Sequence, residues 1–149
     1  MLINARLAEL LTVLATIDPV SQAPGAVTTG WIPAANHERF LATVQTGVLG
    51  ASATVDVKLQ QATDNAGTGA KDITGKAAAQ IVAATGNNKQ ALVNLRAEEL
   101  DLANSFTFFR LSVTVGVAAS LVSAVVQGGV AKNAPASGLN QAGVVQNIA

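Results

Sequence analysis

Alternation of apolar and polar residues is the dominant pattern along this chain. In residues 53–60 and again in residues 110–117, apolar side chains occupy every second position. A half-buried antiparallel strand has this period of two, because successive side chains point to opposite faces of the sheet. Residues 40–45 show a weaker version of the pattern. Residues 121–126 form an apolar run interrupted only by Ser123, which predicts a strand covered on both faces.

Turn-forming residues interrupt these runs at intervals of about ten residues. They are Asp18-Pro19, Pro24-Gly25, Ile32-Pro33 and Gly128-Gly129, with the segments 47–50, 64–67 and 86–88. Many short strands with regular turns favour an antiparallel sandwich or barrel. We therefore predict a mainly β fold, a single antiparallel β-sandwich of the jelly-roll kind with about eight strands. The predicted strands are 10–17, 27–33, 40–48, 53–62, 76–83, 91–96, 107–117 and 120–127.

The two ends of the chain are predicted to form arms, and short helical turns are predicted within it. Asn4 is a suitable N-cap for a helix, but the β-branched residues from Thr12 onward favour strand. Residues 97–104 are acidic and rich in helix formers, which predicts a short helix or a single turn. We predict an N-terminal arm or short helix over 1–9, a β-sandwich domain over 10–132 and an extended C-terminal arm over 133–149. A chain of 149 residues fits one such domain.

The C-terminal arm has neither charge nor periodicity, since it consists mainly of Asn, Gln, Gly, Ala and Val. Such a segment is disordered in isolation. It becomes ordered most easily by lying on a neighbouring copy, and docking back on its own domain is the alternative.

Charged residues make up only 12% of the chain, with nine basic and nine acidic residues, whereas an ordinary domain has about 25%. A surface so poor in charge is easiest to explain if neighbouring molecules cover much of it. The zero net charge argues against nucleic-acid binding, which needs a basic excess. Without cysteine, the chain has no disulfide, thiolate metal site or cysteine nucleophile.

No window reaches about 20 consecutive apolar residues. Arg6 and Glu9 interrupt the N-terminal run, and Arg110 and Gly116 interrupt the apolar segment 106–126. We therefore expect neither a signal peptide nor a membrane-spanning helix.

Candidate chemistry is sparse. His37 is the single histidine, so a histidine-based metal site is excluded, and the sequence favours a loop position for it. Glu98, Glu99 and Asp101 are favoured as solvated or arginine-paired acids over a cation site. The segment 64–72 lacks the residues of a calcium loop or a phosphate loop and is predicted to be a Gly-rich hairpin loop. We expect no enzymatic activity, no metal and no cofactor.

Contact residues are predicted among the few large apolar side chains. Trp31, the only tryptophan, suits either the core or an interface. In the segment 106–109, Phe106 and Phe108 fall on one face and Phe109 on the other, so at least one is expected at a contact. The candidate interface residues are Trp31, Phe106, Phe109, Val144, Val145 and Ile148.

Three segments carry a resemblance to a known group of proteins. They are DVKLQQATDNAGTGAKDITGK at 56–76, NLRAEELD at 94–101 and FRLSVTV at 109–115. Together they resemble small proteins encoded beside the major capsid gene in tailed phages and prophages, over roughly residues 10–135. The matching segments mark a strand–loop–strand framework, so no catalytic residue carries over.

The resemblance implies a virion protein of the capsid cement or decoration kind, made in the host cytoplasm and placed on the phage head surface. Its implied partners are the major capsid protein and further copies of itself. A closed oligomer would cover its sheet edges, and a trimer at a three-fold position is favoured. The alternatives are a tail-tube or head–tail connector (head-completion) subunit and a glycan- or receptor-binding virion module. The shortage of Trp and Tyr argues against the last of these.

Overall fold

Two antiparallel sheets pack face to face in a computed structural model of the chain, which describes residues 4–148. The described residues contain ten strands: β1 Leu11–Gln22, β2 Gly25–Thr28, β3 Ile32–Pro33, β4 His37–Thr46, β5 Thr54–Ala62, β6 Lys71–Ala77, β7 Ile81–Val82, β8 Gln90–Arg96, β9 Phe108–Gly116 and β10 Ser120–Ala131. A one-turn helix, α1, spans Leu7–Leu10, and 3-10 turns span Ala34–Asn36, Ala97–Glu99, Leu102–Asn104 and Ala136–Leu139. No helix within these residues is long and apolar enough to cross a membrane.

The strand order is that of a jelly roll. Sheet A has the order β1-β10-β4-β8, and sheet B has the order β2-β9-β5-β6, with β3 also paired to β9 and β7 to β5. If β2 with β3 and β6 with β7 are each counted as one interrupted strand, eight strands form two four-stranded sheets in jelly-roll order. The predicted mainly β, antiparallel sandwich is confirmed.

The core lies between the sheets and follows the period-two pattern. Alternate residues of β5 and β9 are buried from sheet B, and alternate residues of β4 and β10 are buried from sheet A. Phe40 from sheet A contacts Phe109 from sheet B, with ring centroids 4.6 Å apart. This aromatic pair joins the two layers where the sheets face each other.

Strand β10 differs from its prediction in two ways. The expectation that both of its faces are covered is wrong, because Leu121 and Val125 are exposed while Val122, Ala124 and Val126 face the core. The strand also continues through the predicted turn at Gly128-Gly129. Gly128 has no side chain to meet the ring of His37, which would lie 2.8 Å from an added Cβ. The glycines therefore make room for a neighbouring side chain and do not end the strand.

Other boundaries shift because pairing with a neighbouring strand overrides local turn residues. Strand β1 continues past Asp18-Pro19 with a register shift between Ile17 and Val20, as a bulge allows. The predicted strand 27–33 is divided into β2 and β3, and the predicted strand 76–83 corresponds to the end of β6 and the short β7.

Candidate interaction surface

The outer faces of the two sheets differ in charge. On sheet B, Lys58 Nζ lies 2.9 Å from Asp72 Oδ2, and Arg110 Nε donates to Gln60 Oε1 over 3.0 Å. Asp56 accepts hydrogen bonds from Gln80 on the same side of the molecule. Hydrogen bonding to Lys58 and Gln60 holds the pKa of Asp72 below its ordinary value. Sheet B therefore presents a charged, internally paired surface that suits water.

Sheet A presents a surface with little charge, because most of its outward positions carry aliphatic and neutral polar side chains. We call these residues the sheet A outer face: Thr16, Leu41, Thr43, Gln45, Gln90, Leu92, Asn94, Ser123, Val125 and Gln127. The strand registers place Thr16, Val125, Thr43 and Leu92 side by side across all four strands. Leu92 is 61% exposed and Val125 is 36% exposed, so apolar surface faces outward at the centre and at one edge.

Charge appears at the β1 edge, where Asp18 Oδ1 accepts from the hydroxyl of Thr16 over 3.1 Å, and at one end of this face. Arg39 and Arg96 are neighbours across β4 and β8, and both pair with Glu98, at 3.5 Å and 3.2 Å. At the opposite end, a shallow hollow of about 520 Å³ lies between β1, β4 and β10. Its lining includes Gln45, Leu121 and Ser123 and contains no ionisable side chain.

The C-terminal segment docks on the free edge of β1. The side-chain oxygen of Asn140 accepts from the backbone N–H of Val13 over 2.7 Å, and the N–H of Gln141 donates to the carbonyl of Val13 over 2.8 Å. The hydroxyl of Thr12 donates to the carbonyl of Ala136 over 2.7 Å. Residues 136–141 therefore satisfy edge groups of β1 as a short strand would. For this part of the arm, docking on its own domain replaces the expected position on a neighbour.

The last described residues extend beyond this docked part. Val144 is half-buried, whereas Val145 is 94% exposed and Ile148 is 83% exposed. Their predicted role as contact residues stays a prediction, and their side chains are free to make such contacts.

His37 is a buried structural residue at the start of β4, which corrects its predicted loop position. Its Nε2 lies 2.9 Å from the hydroxyl of Thr12. Because the single hydroxyl proton of Thr12 is donated to Ala136, Nε2 must be the donor in this pair. The other ring nitrogen, Nδ1, is buried without a partner among the described residues. Burial lowers the pKa of His37, so the neutral ring is the stable form and anchors Thr12 beneath the C-terminal segment.

The three aromatic candidates make their contacts within the domain. Phe109 is completely buried in the core, so its assignment to an interface is wrong. Phe106 is also buried and has Lys71 Nζ 4.1 Å above its ring. Trp31 is half-buried under the guanidinium of Arg110, which lies 4.5 Å from its ring centroid. These rings were selected for size, whereas the strand register determines which side each residue faces.

The surface residues that the sequence analysis missed are Leu92, Leu121 and Val125. Each lies in an apolar run, and each alternates with buried residues in its strand. Only the knowledge that sheet A has an uncovered outer side distinguishes them from core residues.

The acidic residues after β8 are paired with cations. Lys76 Nζ lies 2.8 Å from Glu99, and Lys71 Nζ lies 2.6 Å from Asp101. Hydrogen bonds from these lysines hold the pKa values of Glu99 and Asp101 below their ordinary values. Within residues 4–148, no group of three or more His, Cys, Asp or Glu side chains is arranged to hold a metal ion.

The Gly-rich loop 63–70 is closed by its own aspartate. Asp64 Oδ1 accepts from the N–H groups of Ala66 and Thr68 over 2.9 and 3.0 Å. Hydrogen bonding by the Thr68 side chain, together with these N–H groups, holds the pKa of Asp64 below its ordinary value. The carboxylate therefore stabilises the turn of the loop, as expected of a hairpin loop.

No protein-family model matches the chain, and no curated protein matches it significantly in sequence. Among solved structures, it is similar to the SPBc2 prophage-derived protein YomS, with a TM-score of 0.43 and 7% identity over 79% of this chain and 91% of that one. A chain of the empty top-component particles of cowpea mosaic virus has a TM-score of 0.41 and 13% identity, over 84% of this chain and 87% of that one. The CBM22-1 xylan-binding domain of Paenibacillus barcinonensis Xyn10C has a TM-score of 0.39 and 12% identity, over 80% and 82%. The neighbours thus include a prophage-derived protein and a virus particle, at similarities too low to assign a function.

Proposed function

We propose that the protein is a non-enzymatic structural subunit of a virion, of the capsid cement or decoration kind. The observation that carries this proposal is the sheet A outer face, a four-stranded surface whose central positions on β10, β4 and β8 carry no charge. The centre of a protein interface is poor in charged side chains, because each charge that is buried there must be desolvated. An uncharged sheet therefore docks on a protein surface at lower cost than the charged sheet B.

The proposed partners are the major capsid protein and further copies of this chain. The apolar row through Val125 and Leu92 would supply the buried centre of the contact, and the neutral amides of Gln45 and Asn94 its hydrogen-bonding surroundings. The exposed Val145 and Ile148 would extend the contact beyond the sheet. Many copies on one shell would gain avidity from the lattice even if each contact is weak.

A test compares two valine variants with similar exposure on opposite sheets. Val125→Lys places a charge at the centre of the sheet A outer face, whereas Val82→Lys places one on β7 of sheet B. Val125 is 36% exposed and Val82 is 39% exposed, so both lysines can reach water in the free subunit. Each purified variant is added to particles that lack the protein, and the bound copies and the temperature of DNA release are measured.

We expect Val82→Lys to bind and to raise the release temperature as the unchanged protein does. Val125→Lys should lose at least about ten-fold in affinity, because a buried unpaired charge costs more than about 1.4 kcal/mol. Equal binding by the two variants would reject sheet A as the contact. Particles that release DNA at the same temperature with and without the protein would reject the cement role, and labelling at a single vertex would indicate a connector instead.

A further inference from the structure

The four sheet edges differ in how they are protected against pairing with another chain. Strand β1 has two register shifts, contains Pro19 and is partly covered by Asn140 and Gln141. Strand β2 is only four residues long. Strand β6 has a register shift against β5 and carries Lys71, Asp72 and Lys76. Bulges, proline, short length and charge are the usual means by which proteins block edge pairing.

From Gln90 to Leu95, strand β8 has none of these protections, and its only charged residue is its last, Arg96. It is seven residues long and pairs with β4 in an unbroken register from Gln90 to Arg96. Between Gln90 and Leu95 it carries no charge and no proline. At its middle, Leu92 is 61% exposed. A long, regular and neutral edge of this kind is ready to accept another strand.

The hydrogen bonds at the ends of β8 establish which backbone groups face outward. Thr46 N–H donates to the carbonyl of Lys89 over 2.9 Å, so odd-numbered residues of this strand face β4 and even-numbered residues face away. Arg96 N–H confirms this order, because it donates to Glu99 Oε2 over 2.8 Å on the outer side. Among the described residues, the outward backbone groups of Gln90, Leu92 and Asn94 have no hydrogen-bond partner.

These three residues are spaced symmetrically about Leu92. We propose that two copies of this chain pair through β8, antiparallel, about a two-fold axis that passes beside Leu92. Leu92 then lies opposite Leu92 of the second copy, and Gln90 lies opposite Asn94 of the second copy. Each such pair exchanges two backbone hydrogen bonds, so every free outward group of the strand finds a partner. Arg96 lies outside the pairing and keeps its bond to Glu99.

The side chains and charges favour a second copy as the occupant. The two Leu92 side chains meet on the outer surface and join the two sheet A outer faces into one eight-stranded surface. Antiparallel pairing places the two Arg96 side chains at opposite ends of the contact, each opposite Asn88 of the other copy, so the two arginines stay apart. The contact covers less than the roughly 800 Å² per partner of a standard interface. We therefore expect a dimer that forms with rising concentration.

This contact stands independently of the proposed virion role. It is a two-fold contact, distinct from the three-fold closure favoured by the sequence, and both contacts can exist on one shell. Purified protein alone tests it, whereas the virion role requires particles. Failure of one test leaves the other standing.

Single cysteines report the register, because the natural chain has no cysteine. In Leu92→Cys the two Cα atoms would lie about 5.5 Å apart, within the disulfide range of about 4.4–6.8 Å. In Asn94→Cys they would be offset by about 14 Å along the strands, too far for a bond. Val48→Cys is the control for random collision, since Val48 is also 61% exposed but lies outside the strands.

Under mild oxidation of concentrated protein, we expect Leu92→Cys to form linked dimers about ten-fold faster than either other variant. A rate equal to that of Val48→Cys would reject the pairing, and faster linking of Asn94→Cys would reject this register. Sedimentation of variants without cysteine then measures the concentration-dependent dimer directly. Leu92→Lys should abolish the concentration-dependent dimer, and Val48→Lys should retain it, with near-native Trp31 fluorescence in both. A dimer that persists in Leu92→Lys would overturn the proposal.

Discussion

Gly67 occupies a position where the loop cannot accommodate a side chain. Its φ is +86°, and an added Cβ would lie 2.6 Å from Nε1 of Trp31. Two separate costs therefore apply to any substitution, the strain of a left-handed backbone and a collision with the indole ring. The close approach lets the loop 63–70 cover one edge of Trp31 while Arg110 covers its face.

Gly67→Ala should lower the free energy of unfolding by about 2–4 kcal/mol, because strain and overpacking add. Gly75→Ala is the matched control, since Gly75 has a φ of +75° with nothing within 4 Å, and it should lose only the strain component of about 1 kcal/mol. Urea unfolding followed by the fluorescence of the single tryptophan measures both. Equal losses would show that the contact with Trp31 contributes nothing.

His37 makes stability depend on pH near neutrality. Its pKa lies below the ordinary value of 6.5 in the folded protein because burial disfavours the charged ring. Between the lowered pKa and about 6.5, the unfolded chain binds more protons than the folded one, so stability falls as pH falls through this window. The urea midpoint should therefore decrease from about pH 7.5 to pH 5.5, and His37→Gln should remove that decrease. The carboxylates with lowered pKa values, such as Asp72 and Glu99, titrate at lower pH. An unchanged slope in His37→Gln would contradict this assignment.

At the residue scale, the sequence predicted which side chains are apolar but not where the isolated ones lie. Phe109 was expected at a surface and is in the core, while His37 was expected in a loop and is buried. The burial of His37 depends on Thr12 and Ala136, which are distant along the chain. Local patterns contain no information about such partners.

Among the strands, the period of two was a reliable guide and turn residues were not. Strands β5 and β9 lie where the alternation predicts them. Strands β1 and β10 pass through Asp18-Pro19 and Gly128-Gly129, because they pair with each other over nearly their whole length. Long-range pairing compensates for an unfavourable local residue, and this compensation becomes visible only when the partner strand is known.

The docked C-terminal segment can be tested as a separate element. Asn140→Ala removes the acceptor of the Val13 N–H and should cost about 1–2 kcal/mol of local stability. Hydrogen exchange at Val13 and across 136–148 should accelerate by about ten-fold, while exchange in β5 stays unchanged. Asn133→Ala, an exposed position on the same segment, is the control. If both variants exchange alike, Asn140 does not hold the segment.

For the whole molecule, the difference between the two sheet faces was beyond the reach of the sequence. The composition showed little charge, and the register then placed Asp56, Lys58 and Arg110 together on sheet B and left the centre of the sheet A outer face without charge. Composition predicts the amount of charge, but only pairing decides how it is divided between two sides.

The neutral face predicts association that is insensitive to salt. Raising the ionic strength from about 0.05 M to 0.5 M screens charge pairs but leaves contacts between neutral groups intact. Binding to particles, and dimer formation in sedimentation, should therefore weaken by less than about two-fold over this range. A ten-fold loss would show that charged residues at the ends of the face, such as Arg39 and Glu98, carry the contact.

The charged pairs of sheet B acquire a role once sheet A is covered. A subunit that binds through the sheet A outer face exposes Asp56, Lys58 and Arg110 to the solvent. A layer of such subunits would therefore have a hydrated outer surface and a buried inner surface. Charged side chains of both signs keep this outer side hydrated. The same domain would then bind a protein surface through one sheet and remain in contact with water through the other.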